Sequence, residues 1–171
     1  MTAKTNTCSG RLRPAAALPD AVMTYAPVHS FKSAKAFFLA SKSLDRVPMS
    51  PPGFNRVLGH PLELVHQTNP VAPMGVGTPL RVRLLWKGKP LSNAVISFLP
   101  RGAQLKAGFD ARYERHTNPQ GEATLELANS NTYLVVAHRE DATAKGPGFD
   151  STKYSATMTM IVPQICDFCG E

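Results

Sequence analysis

Several short segments of the chain alternate apolar and polar side chains with a period of two. Residues 80–87 place Leu, Val, Leu and Trp on one side and Arg, Arg and Lys on the other. Residues 122–127 alternate as strictly, and residues 153–162 place Tyr, Ala, Met, Met and Val on one face. This pattern predicts strands with one buried and one wet face. Residues 132–138 are apolar on both faces, which predicts a central strand.

Shorter segments complete a series of strands separated by turn residues. Candidates lie at residues 33–40, 58–66, 94–99 and 113–116, and the 94–99 strand follows the 80–86 strand through a hairpin or a short crossover. About seven short strands, with no convincing helical pattern, predict an all-β fold, an antiparallel β-sandwich.

Length and composition indicate one compact domain with an extra arm. The chain has 171 residues and is 43% hydrophobic, enough to bury a sizeable core. Residues 48–53 contain three prolines, which lack the backbone N–H donors that the hydrogen-bond ladder of a β-sheet needs. We therefore divide the chain into an arm at 1–30, disordered or misassigned, a strand and proline-rich link at 31–57 that is the remnant of an upstream region, and a sandwich domain at 58–171.

The distribution of charge argues against nucleic-acid binding. The net charge is +7, but residues 1–57 carry eight basic and two acidic side chains, whereas the remainder is nearly neutral. A nucleic-acid surface requires clustered basic side chains on the folded body.

No apolar run approaches the roughly 18 residues of a membrane helix, so we expect a soluble chain without a membrane span. The arm contains no readable signal peptide.

A series of short motifs occurs in the order found in one known family. The motifs are GHPLEL at 59–64, GKPL at 88–91, PRG at 100–102, GFD at 108–110, GEA at 121–123, YLVVAH at 133–138 and CDFCGE at 166–171. Over about residues 31–171 the chain resembles the bacterial domain of unknown function 4198 family. The resemblance implies an immunoglobulin-like or prealbumin-like sandwich that is periplasmic or otherwise exported. Family members described as associated with nickel or cobalt uptake imply a membrane metal-uptake permease, or another envelope protein, as partner.

The chemistry-bearing residues suggest a metal site. Cys166 and Cys169 form a C-x-x-C pair whose sulfurs can converge on one ion, but two thiolates are half of a tetrahedral site. The other ligands would come from His60, His138 or a second chain. A local disulfide is the competing interpretation of the cysteines, and a histidine at the core edge is the competing interpretation of each imidazole. His66 lies about 20 Å from His60 along an extended strand, so these two cannot share an ion.

The C-x-x-C pair, together with what the family resemblance implies, leads us to expect a non-enzymatic exported accessory domain that binds a divalent metal ion. Nickel or cobalt is expected, with zinc as a further possibility, and the candidate ligands are His60, His138, Cys166 and Cys169. No catalytic residue is assigned, because no nucleophile triad, phosphate loop or carboxylate pair has the required spacing. The alternative is a structural or interaction module without a metal role.

Overall fold

The computed structural model describes residues 27–38, 53–71 and 74–164. Within these ranges the chain forms nine strands and no helix. The predictions for residues 1–26, 39–52 and 165–171 lie outside the described residues. The strands are β1 (Val28–Ala36), β2 (Leu62–His66), β3 (Pro79–Trp86), β4 (Lys89–Pro90), β5 (Val95–Pro100), β6 (Glu114–His116), β7 (Glu122–Glu126), β8 (Asn131–Asp141) and β9 (Ser151–Val162).

The strands form two sheets, which confirms the predicted β-sandwich class. Sheet A has five strands in the order β1-β9-β8-β5-β6. Sheet B has β2, β3 and β4 in that order, and β7 also pairs with β3. All pairings are antiparallel except that of β1 with β9, which is parallel.

The alternating segments form strands with the predicted faces. Leu80, Val82 and Leu84 of β3 are fully buried, as is Met158 of β9. β8 lies between β9 and β5, which confirms that it is a central strand. β5 belongs to the opposite sheet from β3, so the connection is a crossover rather than a hairpin.

The boundaries of two strands differ from those expected. The strand expected at residues 58–66 begins at Leu62, because the N–H groups of Leu58, Gly59 and His60 donate to the Glu63 carboxylate and not to a ladder. The strand expected at residues 33–40 begins earlier, at Val28, because its pairing with β9 starts at Ser151. β1 thus joins sheet A although it precedes residue 58.

The core lies between the two sheets, where their inner faces meet. Its fully buried members include the largest side chain, Phe98 of β5, together with leucines and valines of β2, β3 and β8. A sandwich core of this kind leaves one face of each sheet outside. The outer face of sheet A carries the polar groups described next.

Candidate functional site

The outer face of sheet A presents His138 to solvent. Along β8, Tyr133, Val135 and Ala137 belong to the core, so Leu134 and His138 point outward and are exposed. This confirms that His138 shares a face with Leu134, as the alternation predicts. Because that face is the outer one, His138 is not a histidine of the core edge.

The imidazole of His138 is held by one hydrogen bond. Its Nδ1 lies 2.9 Å from Oγ of Ser155, the residue opposite it in the β8–β9 ladder. The other ring nitrogen, Nε2, has no hydrogen-bond partner among the described residues. A cavity of about 340 Å³ adjoins the ring, and Glu140 and Lys153 contribute to its walls. This arrangement orients the ring and leaves one nitrogen available to a ligand.

A larger depression, the outer groove, begins at His138 and extends across β8, β5 and β6. It has a volume of about 460 Å³, and its lining residues are Leu91, Ser92, Asn93, Ala94, Val95, Ser97, Glu114, Val136, His138 and Arg139. The buried Glu114 carboxylate accepts from Ser97 Oγ at 2.9 Å and from the Asp110 N–H at 2.6 Å. Both carboxylate oxygens therefore have partners within the protein, which assigns Glu114 a structural role in the groove wall.

Asp110 organises the loop beside this groove. Its carboxylate accepts from the Arg112 side chain, at 2.6 Å and 3.0 Å, and from the N–H groups of Lys106 and Arg112. The guanidinium of Arg112, with these N–H groups, holds the pKa of the Asp110 carboxyl well below its usual range. Asp110 is therefore ionised and fully engaged, and it provides no free base.

An aromatic row on the core side of the sandwich was not foreseen from the sequence. Phe31 stacks on Tyr154 with a centroid separation of 5.4 Å, and Tyr154 meets the edge of Trp86 at 4.7 Å. The guanidinium of Arg139 lies over the Trp86 ring, 4.7 Å from its centroid. These residues come from different strands, so no local pattern places them together.

The small cavity lined by His60 reaches the same part of sheet A. His60 lies in the loop before β2, and its N–H donates to Glu63 Oε2 at 3.1 Å. The cavity, of about 70 Å³, also contacts Tyr154 and Ser155. Ser155 therefore lines the cavity of His60 and also hydrogen-bonds to His138.

The cysteine half of the predicted site remains a prediction. Cys166 and Cys169 lie outside the described residues. Within the described part of the chain, no group of three or more His, Cys, Asp or Glu side chains could hold a metal ion. Val162 pairs with Asn131, seven residues along the ladder from His138 and about 23 Å away. The last described strand residues therefore lie at the end of the β8–β9 ladder that is farther from His138.

A buried polar cluster joins β1 to β2, and sequence reasoning missed it. Lys35 Nζ lies 2.6 Å from Glu63 Oε1, and the side-chain exposures are 10% and 1%. Burial tends to raise the pKa of the Glu63 carboxyl, but the Lys35 ammonium and the N–H groups of Leu58 and Gly59 outweigh it and lower that pKa. Glu63 lies between Leu62 and Leu64 in the sequence, and only the long-range contact with β1 reveals its burial.

His66 belongs to this cluster. Its exposure is 0%, and its ring meets the edge of Phe37 at a centroid distance of 4.6 Å. Neither ring nitrogen has a hydrogen-bond partner among the described residues. Burial, with a smaller contribution from the Lys35 charge, lowers the pKa of His66 to about 4. His66 is therefore neutral at physiological pH.

Fold and surface together define an all-β sandwich domain with a polar outer face on one sheet. The model of a family called Domain of unknown function (DUF4198) matches residues 23–141, from before β1 to the end of β8. The chain therefore belongs to this family. No curated protein and no solved structure matches the chain. No helix in the described ranges is long and apolar enough to span a membrane.

Proposed function

We propose that this chain is a non-enzymatic accessory domain that binds a divalent metal ion, nickel or cobalt, in connection with metal uptake. One observation carries the proposal. His138 is exposed, its Nδ1 is held by Ser155, and its Nε2 has no partner among the described residues. Histidine ligands of metals characteristically hydrogen-bond through the second ring nitrogen, which fixes the tautomer and the ring orientation.

His60 is the second proposed ligand. The cavity that it lines includes Ser155, whose hydroxyl is bonded to His138. The proposed site then gains Cys166 and Cys169 as thiolate ligands, from the C-terminal tail of this chain or of a second copy. Imidazole and thiolate donors suit nickel, cobalt and zinc.

The proposed setting is the periplasm or another exported location. The support is the family membership together with the uptake-associated resemblance. The proposed partner is a membrane metal-uptake permease or another envelope protein. A metal-binding accessory in this setting delivers or senses the ion and needs no catalytic residue.

The first test is a titration of the reduced full chain with nickel, cobalt and zinc. We expect saturable binding with a Kd below about 10 μM. Replacing His138 with Ala should weaken binding at least about 10-fold. The matched control is His116→Ala, which removes another exposed imidazole of sheet A. Absence of saturable binding, or an equal effect of both variants, would overturn the proposal.

The cysteines are tested separately, because the described end of β9 is remote from His138. A Cys166→Ser, Cys169→Ser double variant should lose affinity if the thiolates are ligands. Unchanged affinity of the double variant would restrict the site to the imidazoles.

A second candidate function is an interaction module without a metal role. The outer groove favours this second function, because its volume is that of a ligand-binding site. Both carboxylate oxygens of Glu114 in the groove wall are already hydrogen-bonded within the protein, so the wall has a fixed shape that does not depend on a metal ion. A mass measurement on the purified protein distinguishes the two candidates. Loss of the mass of two hydrogen atoms under oxidising conditions, as the oxidant takes two electrons and a disulfide forms, with no metal retained, would favour the interaction module.

A further inference from the structure

β1 closes one side of the sandwich, between β9 and β2. On one side it forms a parallel ladder with β9 along its whole length, from Val28 opposite Ser151 to Ala36 opposite Thr159. On the other side it reaches β2 through side chains. We call this second contact the β1–β2 seam; its hydrogen-bonding members are Ser33, Lys35, Leu62, Glu63 and Leu64.

The seam consists of polar side chains that cap backbone carbonyls. Ser33 Oγ donates to the Leu62 carbonyl at 3.1 Å, and Lys35 Nζ donates to the Leu64 carbonyl at 2.8 Å. Lys35 also pairs with the buried carboxylate of Glu63. Because no backbone ladder joins β1 to β2 in the described ranges, the attachment of β1 to β2 depends on these few side-chain bonds.

His66 lies at the end of the seam in the same buried environment. It shares its strand face with Leu62 and Leu64, and its ladder partner in β3 is the apolar Val82. Phe37, directly after β1, covers its ring. The charged group that acts on it is Lys35, while the Glu63 carboxylate is already occupied by Lys35 and three N–H groups. A proton added to His66 would therefore place a second cation near Lys35 with no acceptor among the described residues.

The direction of the pH effect follows from the two states of His66. In the closed state, with β1 attached as in the structure, the pKa of His66 is about 4. In an opened state, with β1 detached and the ring exposed to water, the pKa of His66 returns towards its ordinary value of 6.5. Between these values only the opened state binds the proton. Closure is therefore strongest above pH 6.5 and weakens as the pH falls towards 4. The lowered pKa of Glu63 keeps its pair with Lys35 intact through this window, and that contribution is lost at lower pH.

We propose that β1 is an acid-released strand: protonation of the buried His66 detaches β1 from β2 and β9 while the remaining strands stay paired. Release uncovers the edge of β9, a row of unpaired backbone groups on which another extended segment can pair. The polar seam, and an imidazole that has no hydrogen-bond partner in the described part of the chain, make β1 the strand that responds to acid.

Hydrogen exchange of the full chain tests this proposal. Amide exchange is followed between pH 7 and pH 4.5 and corrected for the pH dependence of the intrinsic rate. Peptides covering residues 28–36 should show an opening constant that rises about 50-fold. Peptides covering residues 95–116, from the opposite edge of sheet A, should show no comparable rise. An equal rise in both regions would indicate global acid unfolding and would overturn the proposal.

Variants locate the effect at His66. His66→Phe fills the same space without a titrating group, so its β1 peptides should no longer respond between pH 7 and 4.5. His116→Phe makes the same change at an exposed position and should retain the response. If His66→Phe fails to fold, the pKa of His66 is measured by proton NMR in the unmodified protein, and that value tests the proposal. A measured His66 pKa below about 5 supports the proposal, and one near 6.5 contradicts it.

Discussion

Glu63 shows how one side chain positions several parts of this protein. Its carboxylate accepts from the N–H groups of Leu58, Gly59 and His60, and it also pairs with Lys35. These bonds shape the loop that carries His60 and attach β1 to β2. A single buried acid thus connects a proposed metal ligand to the seam.

Replacing Glu63 with Gln should lower the free energy of unfolding by about 3 kcal/mol, because it leaves the Lys35 ammonium buried without its counter-ion. Denaturant unfolding at pH 7, followed by the fluorescence of Trp86, the single tryptophan, measures the change. Glu122→Gln is the matched control. Its partner Arg83 has a side-chain exposure of 38%, so the loss should be about 0.5 kcal/mol. Equal losses would show that the Glu63 pair is no more important than a surface pair.

The strands illustrate which features a sequence reveals and which it conceals. Residues 80–86 and 122–126 have one buried face, so their alternation suffices to predict β3 and β7. The bounds of β1 depend instead on a parallel pairing with β9, more than 120 residues away, which no local pattern encodes. The same applies to the seam, because Lys35 and Glu63 meet only when two sheets come together. The strand face that His138 shares with Leu134 could be predicted, since it follows from the alternation of β8 alone.

The turn before β7 depends on a glycine. Gly121 has φ of +73°, and a Cβ there would lie 2.6 Å from the Leu84 carbonyl oxygen. Gly121→Ala should therefore cost about 3 kcal/mol of unfolding free energy, from backbone strain and the clash together. Gly102 is the control, because it also has a positive φ, of +87°, but a Cβ at that position would meet no atom within 4 Å. Gly102→Ala should cost about 1 kcal/mol in the same thermal or denaturant measurement. A cost at Gly121 no larger than that at Gly102 would refute the close approach to β3.

At the scale of the whole molecule, the fold gives the chain two chemically different regions. The outer face of sheet A carries His138, the outer groove and the neighbouring cavity. The side closed by β1 carries the buried Lys35–Glu63 pair and His66. His60 lies between them, since its N–H is held by Glu63 while its cavity reaches Ser155. The proposed metal binding and acid release therefore involve adjacent parts of one domain and can be separated by variants at His138 and His66.

Paramagnetic cobalt tests the central functional claim most directly, because it reports which imidazoles lie near the ion. The full chain is reduced, cobalt is added in substoichiometric steps at about pH 7.5, and the ring resonances of the histidines are followed by NMR. We expect the resonances of His138 and His60 to broaden or shift first, while those of His66 and His116 change least. Cobalt that leaves His138 unperturbed, or affects all exposed histidines equally, would contradict a metal site on the outer face of sheet A.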